Sequence, residues 1–376
     1  MEENVPQLRV LHVIGKMDRG GAETLLMNLY RVIDRSRVQF DFLVHSPEKG
    51  DYDDEIEALG GTIYHLIPFA AGNLPRYRSA CRTFFREHRG QYPIVHGHIG
   101  SCAAIYLGEA KRFGSVCIAH SHAQKGSLSP AELVFRMLSY PTRNVADYFI
   151  ACSEQAGIDR YGKAVVASDK FRILNNGIDV ARFTCTDAEH AAAKQDAGYG
   201  DNVVIGHVGR LTEIKNHKFL IDVFCEFKGL HPSALLFLVG RGPLEEQLKS
   251  YVAKRGVSDS VAFFGVRPNV EDYMKLFDVF AFPSVREGLG MSVVEAQAAG
   301  LPCVISTGVP AAAIVTPFAR RVPLDEGAKR WAAEIEDALE NKPSREECPR
   351  YVLESGYDIN EVARDLTDLY LSLSGK

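Results

Sequence analysis

Short apolar runs that alternate with longer amphipathic segments are the feature that most constrains the fold of this 376-residue chain. Runs rich in Val, Ile, Leu and Phe predict buried strands, and helical periodicity fills most intervals between them. Repeated strand–helix units of this kind form a parallel sheet with helices on both faces. In the first half we predict strands near Leu8–Ile14, Val38–Val44, Thr62–Leu66, Ile94–His98, Val116–His120 and Tyr148–Ala151.

A second series of apolar runs follows a polar stretch and predicts a second sheet. Its strands are expected near Val203–Val208, Ala234–Val239, Val261–Phe264, Val279–Ala281 and Cys303–Ile305. At ~150 residues per domain, the length also favours two domains. We therefore predict an α/β protein of two tandem, doubly wound Rossmann-like domains that face a central cleft, where ligands would meet the carboxyl ends of strands. The predicted divisions are a first domain at 1–180, a linker at 181–200, a second domain at 201–357 and a terminal helix at 358–376 that could pack back on the first domain.

Composition excludes several classes of protein. The net charge is -5, and the sequence contains no recognisable nucleic-acid-binding module, so no nucleic acid partner is expected. Eight cysteines form no Cys-x-x-Cys pair, which indicates buried thiols in a reducing compartment. No apolar run reaches the ~18 residues that span a bilayer, and the start, MEENVPQ, is acidic where a signal peptide is basic. A cytoplasmic protein is expected.

Two glycines follow the first predicted strand and open a helical pattern. Gly20 and Gly21 would let a ligand approach the backbone, where free amides at a helix start favour an anion such as phosphate. The segment matches neither the dinucleotide-binding fingerprint nor a P-loop. A tight strand–helix turn without a ligand remains an equal alternative.

Two cations follow the first strand of the second domain. Arg210 and Lys215 come after Val203–Val208, at a carboxyl end where they could clamp a diphosphate leaving group. A pair of solvated loop cations is the alternative. If they form a clamp, alanine at either position should lower turnover while the unfolding temperature barely moves.

The segment Pro283–Glu295 predicts a strand end, a glycine-rich turn and a helix start. Backbone amides near Gly288–Ser292 would form a cradle for phosphate or sugar hydroxyls. Glu287 precedes the helix and Glu295 lies one to two turns inside it, so the two carboxylates can bracket a ligand. An ordinary exposed glutamate is the alternative for Glu295, but its apolar flank, VVEAQAAG, favours a pocket.

Seven segments in order make the chain similar to the GT-B glycosyltransferases of the family four type, which add sugars in bacterial capsule, exopolysaccharide or lipopolysaccharide assembly. The segment from Glu287 to Glu295 resembles the Glu-x7-Glu signature of that family. The seven segments are Gly-Gly-Ala-Glu at 20–23, ACSE at 151–154, NNGID at 175–179, GRLTEIKNH at 209–217, VGRGPLEEQL at 239–248, FFGVRPNVEDYM at 263–274 and FPSVREGLGMSVVEAQAAGLPCV at 282–304.

The resemblance implies contacts for the donor phosphates and the reaction centre. Gly21 would bring its loop against the diphosphate, and Arg210 and Lys215 would hold the phosphates. His120 matches the histidine that lies near the donor sugar. The residues with an implied part in catalysis are His120, Arg210, Lys215 and Glu287.

The resemblance also implies contacts for the sugar and the nucleoside. Glu287 would meet hydroxyls of the transferred sugar, and Glu295 would bind the ribose. Val266 and Arg267 match the segment whose backbone meets the nucleobase. The amides that would flank the sugar and the phosphates belong to Leu289, Gly290, Met291 and Ser292.

The implied activity is retaining, metal-independent transfer of a sugar from a nucleoside diphosphate, most commonly UDP, to a glycan or a lipid-linked glycan. No cofactor is implied. Two alternatives remain open: a sugar-nucleotide epimerase or phosphorylase on the same fold, and a non-catalytic protein that binds sugar nucleotides.

Two sequence patterns suggest a metal. His96, His98, His120 and His122 form two His-x-His pairs, but a strand site needs a third ligand placed by the fold, and the sequence identifies none. Asp51-Tyr52-Asp53 has the form of an Asp-x-Asp motif, yet it begins a predicted helix, where acidic residues cap the N-terminus. We therefore predict no metal and interpret His120 as a sugar or phosphate contact.

The segment Arg76–Arg89 carries five arginines together with Tyr77, Phe84 and Phe85. As a helix it could lie on an anionic membrane surface near a lipid-linked acceptor. The alternative is a solvated helix face whose aromatic side chains enter the core. The expected location is cytoplasmic, with peripheral membrane contact as the open alternative.

Overall fold

The computed structural model describes residues 7–122 and 130–375, which fold into two compact units. The first unit comprises Met1–Ile178 and Ile359–Lys376, and the second comprises Asp179–Asp358. Each unit contains one parallel sheet with helices packed on it. The prediction of an α/β protein with two Rossmann-like sheets is confirmed. The acidic start at residues 1–6 lies outside the described residues.

The sheet of the first unit has seven parallel strands in the order β3-β2-β1-β4-β5-β6-β7. The order reverses between β1 and β4, and ligands of such sheets bind at this switch point. The strands are β1 (Leu8–Ile14), β2 (Val38–Val44), β3 (Ile63–His65), β4 (Ile94–Gly97), β5 (Val116–Ser121), β6 (Tyr148–Ala151) and β7 (Phe171–Ile173). The helices are α1 (Gly21–Val32), α2 (Asp53–Ala58), α3 (Leu74–Glu87), α4 (Ala103–Arg112), α5 (Pro130–Ser139), α6 (Thr142–Val145), α7 (Glu154–Tyr161) and α8 (Lys163–Val166).

The second unit repeats this strand order with six parallel strands, β10-β9-β8-β11-β12-β13. Its switch point lies between β8 and β11. The strands are β8 (Val204–Val208), β9 (Leu235–Val239), β10 (Val261–Gly265), β11 (Val279–Phe282), β12 (Cys303–Ser306) and β13 (Ala319–Val322). The helices are α9 (Val180–Phe183), α10 (Asp187–Asp196), α11 (His217–Leu230), α12 (Glu245–Lys254), α13 (Val270–Met274), α14 (Met291–Ala298), α15 (Gly327–Glu340) and α16 (Cys348–Glu354).

Two edge strands, β7 and β13, lie where the apolar runs predicted none. Both are short, and β13 reads Ala-Arg-Arg-Val. An edge strand is paired on one side only, so it does not need the continuous apolar run of a central parallel strand. The pattern that identified the central strands therefore could not detect these two.

Residues 181–200, predicted as a linker, belong to the second unit instead. Helix α10 begins with a capping box in which Thr186 and Glu189 satisfy each other's backbone amides. From this helix Lys194 Nζ lies 2.7 Å from Oδ2 of Asp278, and His190 Nε2 lies 3.0 Å from Oδ1. Polar side chains hold this helix to the rest of the second unit, so a search for apolar runs does not detect that it belongs there.

The last helix, α17 (Ile359–Ser374), is part of the first unit. The Ile359 amide donates to the Ile178 carbonyl at 3.0 Å, where the chain re-enters the unit. Gly177 is required beside this crossing, because a Cβ there would lie 2.9 Å from the Cα of Ile359. Leu366 and Tyr370 then enter the core that α1 also lines. Burial of each large apolar side chain contributes roughly 1.5–3 kcal/mol.

The arginine-rich segment forms α3, and its aromatic side chains are buried. Tyr77, Phe84 and Phe85 belong to the core of the first unit and cannot enter a bilayer. Arg78 and Arg82 pair with Glu109 of α4, whose side chain is 2% exposed. The structure therefore supports the solvated-face interpretation. Within residues 7–122 and 130–375, no helix is both long and apolar enough to cross a membrane.

Candidate functional site

Lys215 and Glu287 form an ion pair at the switch point of the second unit. Lys215 follows β8 in a short 3₁₀ turn, and Glu287 follows β11, the neighbouring strand. Lys215 Nζ lies 2.7 Å from Oε1 of Glu287, and the side chains are 18% and 12% exposed. Nζ also lies 4.6 Å from the centroid of the Phe282 ring. The structure thus brings the predicted phosphate cation and the predicted sugar carboxylate together.

Hydrogen bonds to neighbouring loops hold Glu287 in place. Its amide donates to the Gly308 carbonyl at 3.1 Å, and Ser284 Oγ donates to its Oε1. Ser284 Oγ also lies 2.9 Å from the Ile214 carbonyl oxygen, next to Lys215, so its single proton is shared between the two acceptors. A Cβ at Gly308 would lie 2.2 Å from the carbonyl oxygen of Val285, so the loop after β12 contacts this segment through its backbone.

Arg210 is exposed directly after β8, and no carboxylate of the described residues pairs with it. Backbone hydrogen bonds hold its loop in place: the Gly209 amide donates to the Val239 carbonyl and the Leu211 amide donates to the Arg241 carbonyl. Gly240 has φ +140, and a Cβ there would lie 2.1 Å from the Gly209 carbonyl oxygen. A firmly held loop therefore presents a guanidinium that is open to an anion.

The N-terminus of α14 adds a second anion-binding feature. Gly290 caps this helix in the left-handed conformation, with φ +90, which glycine adopts without strain. The first-turn amides, those of Met291 and Ser292 among them, have no acceptor within the helix. Leu289 is buried, whereas Met291 and Ser292 are partly exposed. Phosphate or hydroxyl oxygens are suitable partners for these amides.

Glu295 lies on α14 between buried neighbours, Val294 and Ala296. Burial raises the pKa of its carboxyl to about 7, with the Arg182 charge lowering it and the Glu271 charge raising it. Arg182 and Glu271 pair with each other at 2.6 Å. None of the described residues donates a hydrogen bond to the Glu295 carboxylate. It is therefore a partly buried carboxyl with apolar chain neighbours and the Arg182–Glu271 pair nearby, rather than a fully exposed surface glutamate.

Val266 and Arg267 follow β10, two strands away from β8. Both are exposed, and Arg267 Nε donates to the Phe264 carbonyl at 2.9 Å. Its guanidinium lies 5.7 Å from the centroid of the Tyr273 ring. The backbone after β10 is thus accessible, as recognition of a nucleobase through main-chain groups requires.

In the first unit, five histidines meet at the ends of β1, β4 and β5. His98 Nδ1 lies 2.8 Å from His122 Nε2, and its Nε2 lies 3.0 Å from His12 Nδ1. His96 Nδ1 hydrogen bonds the hydroxyl of Tyr370 at 2.6 Å. The third ligand that the sequence did not identify for a His-x-His pair is placed by the fold, because β4 pairs with β5 and brings the two motifs together.

These histidines are neutral at neutral pH. Burial lowers the pKa of His12 to about 3 and that of His122 to about 4. It also holds the pKa of His96, His98 and His120 well below the ordinary value. Neutral imidazole is the form that accepts hydrogen bonds and binds metal ions.

A cavity of about 360 Å³ opens beside this cluster and is lined by His98, His120 and His122. Glu23 and Arg160 also line it, and both were missed as site residues. Burial raises the pKa of the Glu23 carboxyl. The sequence held a signal for Glu23 in the Gly-Gly-Ala-Glu segment, whereas nothing local marks Arg160.

Of the two glycines that precede Glu23, only Gly20 is sterically confined. A Cβ on Gly20 would lie 2.2 Å from Oε2 of Glu23, whereas a Cβ on Gly21 would meet nothing within 4 Å among the described residues. Gly21 is the first residue of α1 and is exposed. Its backbone is therefore open to a ligand.

The Asp-x-Asp segment has local backbone partners. Asp53 Oδ2 accepts from the Gly50 amide at 2.8 Å, and Asp51 Oδ2 accepts from the Arg19 amide at 3.3 Å. Helix α2 begins at Asp53. These contacts support the interpretation of the segment as a helix start.

Comparison with known proteins places both halves of the chain among sugar-transferring enzymes. The family described as "Glycosyltransferase Family 4" matches residues 19–182, and "Glycosyl transferases group 1" matches residues 190–354. The putative glycosyltransferase EpsF of Bacillus subtilis (strain 168) is 34% identical over 383 residues, covering 98% of this chain and 97% of EpsF.

A second relative and a solved structure extend the comparison. The UDP-Gal:alpha-D-GlcNAc-diphosphoundecaprenol alpha-1,3-galactosyltransferase of Escherichia coli is 23% identical over 321 residues, covering 81% of each chain. Anabaena Alr3699/HepE, solved in complex with UDP, superposes with a TM-score of 0.79 at 19% identity, covering 97% of this chain and 100% of that chain. This structural likeness agrees with the GT-B fold.

Proposed function

The chain belongs to the glycosyltransferases of Family 4 and group 1, and we propose that it moves a sugar from a UDP donor, with retention, to a hydroxyl of a glycan or lipid-linked glycan in surface polysaccharide synthesis. The observation that carries this proposal is the Lys215–Glu287 pair beside the start of α14. The cation and the free amides are suited to a diphosphate, and the carboxylate is suited to the hydroxyls of a sugar. UDP is also the ligand named for the Anabaena structure.

The second unit would bind the donor through groups of complementary charge. Arg210, Lys215 and the amides of α14 neutralise the diphosphate as it leaves, so the transfer itself needs no divalent ion. Glu287 accepts hydrogen bonds from hydroxyls of the sugar while Lys215 fixes its carboxylate. Glu295 accepts from the ribose. The chemical work is then charge stabilisation and positioning of an oxocarbenium-like centre.

The first unit would contribute His120 and the loop at Gly21. Neutral His120 has a ring nitrogen available for a sugar hydroxyl, and both of its ring nitrogens lack partners within the described part of the chain. Gly21 offers a backbone without a side chain at a helix start, which suits a phosphate.

We further propose that the acceptor is lipid-linked and that α5, rather than α3, approaches the membrane. The Escherichia coli relative has an undecaprenol-linked acceptor in its name. Helix α5 and the residue after it expose large apolar side chains beside the cavity, which is typical of interfacial helices. They are Leu133 at 61%, Val134 at 51%, Met137 at 69% and Tyr140 at 57% exposed.

Incubation of the purified protein with a panel of nucleotide sugars tests the proposal. A transferase should slowly hydrolyse one UDP-sugar and release UDP, and Arg210→Ala should abolish that release. An epimerase would convert the sugar without releasing UDP, and a binding protein would do neither. Either result would contradict the proposed function and favour the alternative that it identifies.

A further inference from the structure

The histidine cluster of the first unit has a geometry that the transfer reaction does not require. We propose that His98, His120 and His122 bind one Zn²⁺ ion, with a fourth coordination position open to the adjoining cavity. Three histidines with an open position form a familiar zinc ligand set. Nothing in the proposed transfer assigns a role to His98 or His122.

The distances between the three side chains allow them to bind one shared ion. Candidate ligand atoms of the three side chains all lie within 4.8 Å of one another. His98 Nδ1 and His122 Nε2 are already 2.8 Å apart. Tetrahedral zinc with Zn–N bonds of ~2.0–2.1 Å holds its ligand nitrogens ~3.3 Å apart. Small side-chain rotations therefore bring the three nitrogens to the required spacing.

Ring nitrogens of His120 that lack hydrogen-bond partners are the second observation in favour of a zinc site. Both ring nitrogens of buried His120 have no hydrogen-bond partner among residues 7–122 and 130–375. A buried polar atom without a partner is destabilising, and coordination to an ion would relieve that.

His12 orients His98 for this role. Metal-bound histidines usually donate the opposite ring N–H to a neighbouring acceptor. Here His98 Nε2 lies 3.0 Å from His12 Nδ1, so His98 can donate to His12 and keep Nδ1 free for the ion.

A second group of three histidines, His12, His96 and His98, also has candidate ligand atoms within 4.8 Å of one another. His12 and His96 are almost fully buried, and His96 Nδ1 is already bonded to Tyr370. All members of the chosen triad line the cavity, which gives an ion a path of entry. Of the two sets, His98, His120 and His122 are therefore the ligands.

Zinc at this site would occupy His120 and so compete with the sugar contact proposed for that residue. This consequence rests on the proposed function, whereas zinc binding itself does not. Added Zn²⁺ should lower turnover, and chelator should restore it. The metal titration uses no donor, so its outcome is independent of whether the transfer proposal holds.

The test is a Co²⁺ titration of the untagged, chelator-treated full chain, followed by visible absorption. We expect one equivalent with the intense bands of tetrahedral cobalt, displaced by Zn²⁺ because zinc lies above cobalt in the usual affinity order. His122→Gln should weaken binding by more than about 100-fold, since loss of even an outer partner can reach that value. His122→Glu, whose longer side chain can place a carboxylate oxygen near the position of Nε2, should recover binding.

His65→Gln is the control, because His65 is an exposed histidine of the same unit. It should bind cobalt as the parent does. The proposal is overturned if the parent shows no tetrahedral spectrum, if His122→Gln keeps it, or if His122→Glu fails to recover it. Loss in His12→Gln with retention in His122→Gln would overturn the choice of triad.

Discussion

Lys215 Nζ lies 2.7 Å from Oε1 of Glu287, so the two groups expected to bind different parts of the donor are joined to each other before any donor arrives. Seventy-two positions separate them in the chain. Each therefore sets the orientation of the other, and removal of either leaves a partly buried charge. This relationship changes what substitutions at the two positions should do.

Lys215→Ala should lower both turnover and stability, unlike the sequence-based expectation of an unchanged unfolding temperature. Loss of a contact to the leaving group should lower kcat by about 100- to 1,000-fold. The unpaired Glu287 should lower the free energy of unfolding by about 1–3 kcal/mol, below the range for a fully buried pair because the side chains are partly exposed. Urea unfolding followed by fluorescence of Trp331, the single tryptophan, which is buried in the second unit, measures this.

Arg210→Ala is the matched control for stability, because Arg210 is exposed. It should lower turnover similarly without moving the unfolding midpoint. Lys215→Ala combined with Glu287→Gln should recover part of the lost stability. An unchanged midpoint in Lys215→Ala would mean that the ion pair contributes nothing to the fold.

Glu295→Gln should stabilise the free protein at alkaline pH. With its pKa raised from 4.5 to about 7, the folded state keeps a proton that the unfolded chain releases, so stability falls as pH rises from about 4.5 to 7. Glutamine removes this penalty, at most ~3 kcal/mol at pH 8. At pH 4 the variant and the parent should unfold alike. Equal midpoints at pH 8 would show that the carboxyl is not desolvated.

Substitutions of Glu287 and Glu295 should have different effects on UDP affinity and on the rate of transfer. Glu295→Gln should weaken binding of UDP, because an amide nitrogen would replace the acceptor that we propose for the ribose hydroxyls. Glu287→Gln should keep UDP affinity and lower the single-turnover rate with the full donor. Calorimetry and rapid-quench kinetics measure the two effects. A larger loss of UDP affinity in Glu287→Gln would reverse the proposed orientation of the donor.

Turnover should survive excess chelator, because under the proposed function Arg210, Lys215 and the α14 amides would supply the positive charge that the diphosphate needs. Activity is measured with and without chelator, and then with Mg²⁺ or Mn²⁺ added. If chelator abolished transfer and Mn²⁺ restored it, the Asp51 and Asp53 pair would become the leading candidate for a donor metal.

Polar substitution of α5 should reduce association with membranes. Leu133→Gln with Met137→Gln removes two exposed apolar side chains and should lower co-sedimentation with anionic liposomes, without a change in the unfolding midpoint. Leu230→Gln is the control, since Leu230 is 75% exposed in the second unit. An equal reduction in the control would make the effect non-specific.

Local pattern alone identified much of this protein. Strands β1 and β2 occur at the residues that their apolar runs predicted, because most side chains of a buried parallel strand are apolar, even though Gln39 and Asp41 interrupt the run in β2. The Glu287–Glu295 segment likewise showed its strand end, glycine turn and helix start. Such features depend on neighbouring residues, so the sequence determines them.

Tertiary structure decided what depends on residues far apart in the chain. The attachment of α10, the Lys215–Glu287 pair and the meeting of His98 with His122 all arise from polar side chains placed on different strands or helices. A polar contact produces no repeating pattern in the sequence, because a single residue at the end of the right strand is enough to form it. The strand order brings β4 beside β5 in the first unit and β8 beside β11 in the second. It thereby places residues of separate sequence motifs next to each other within each unit.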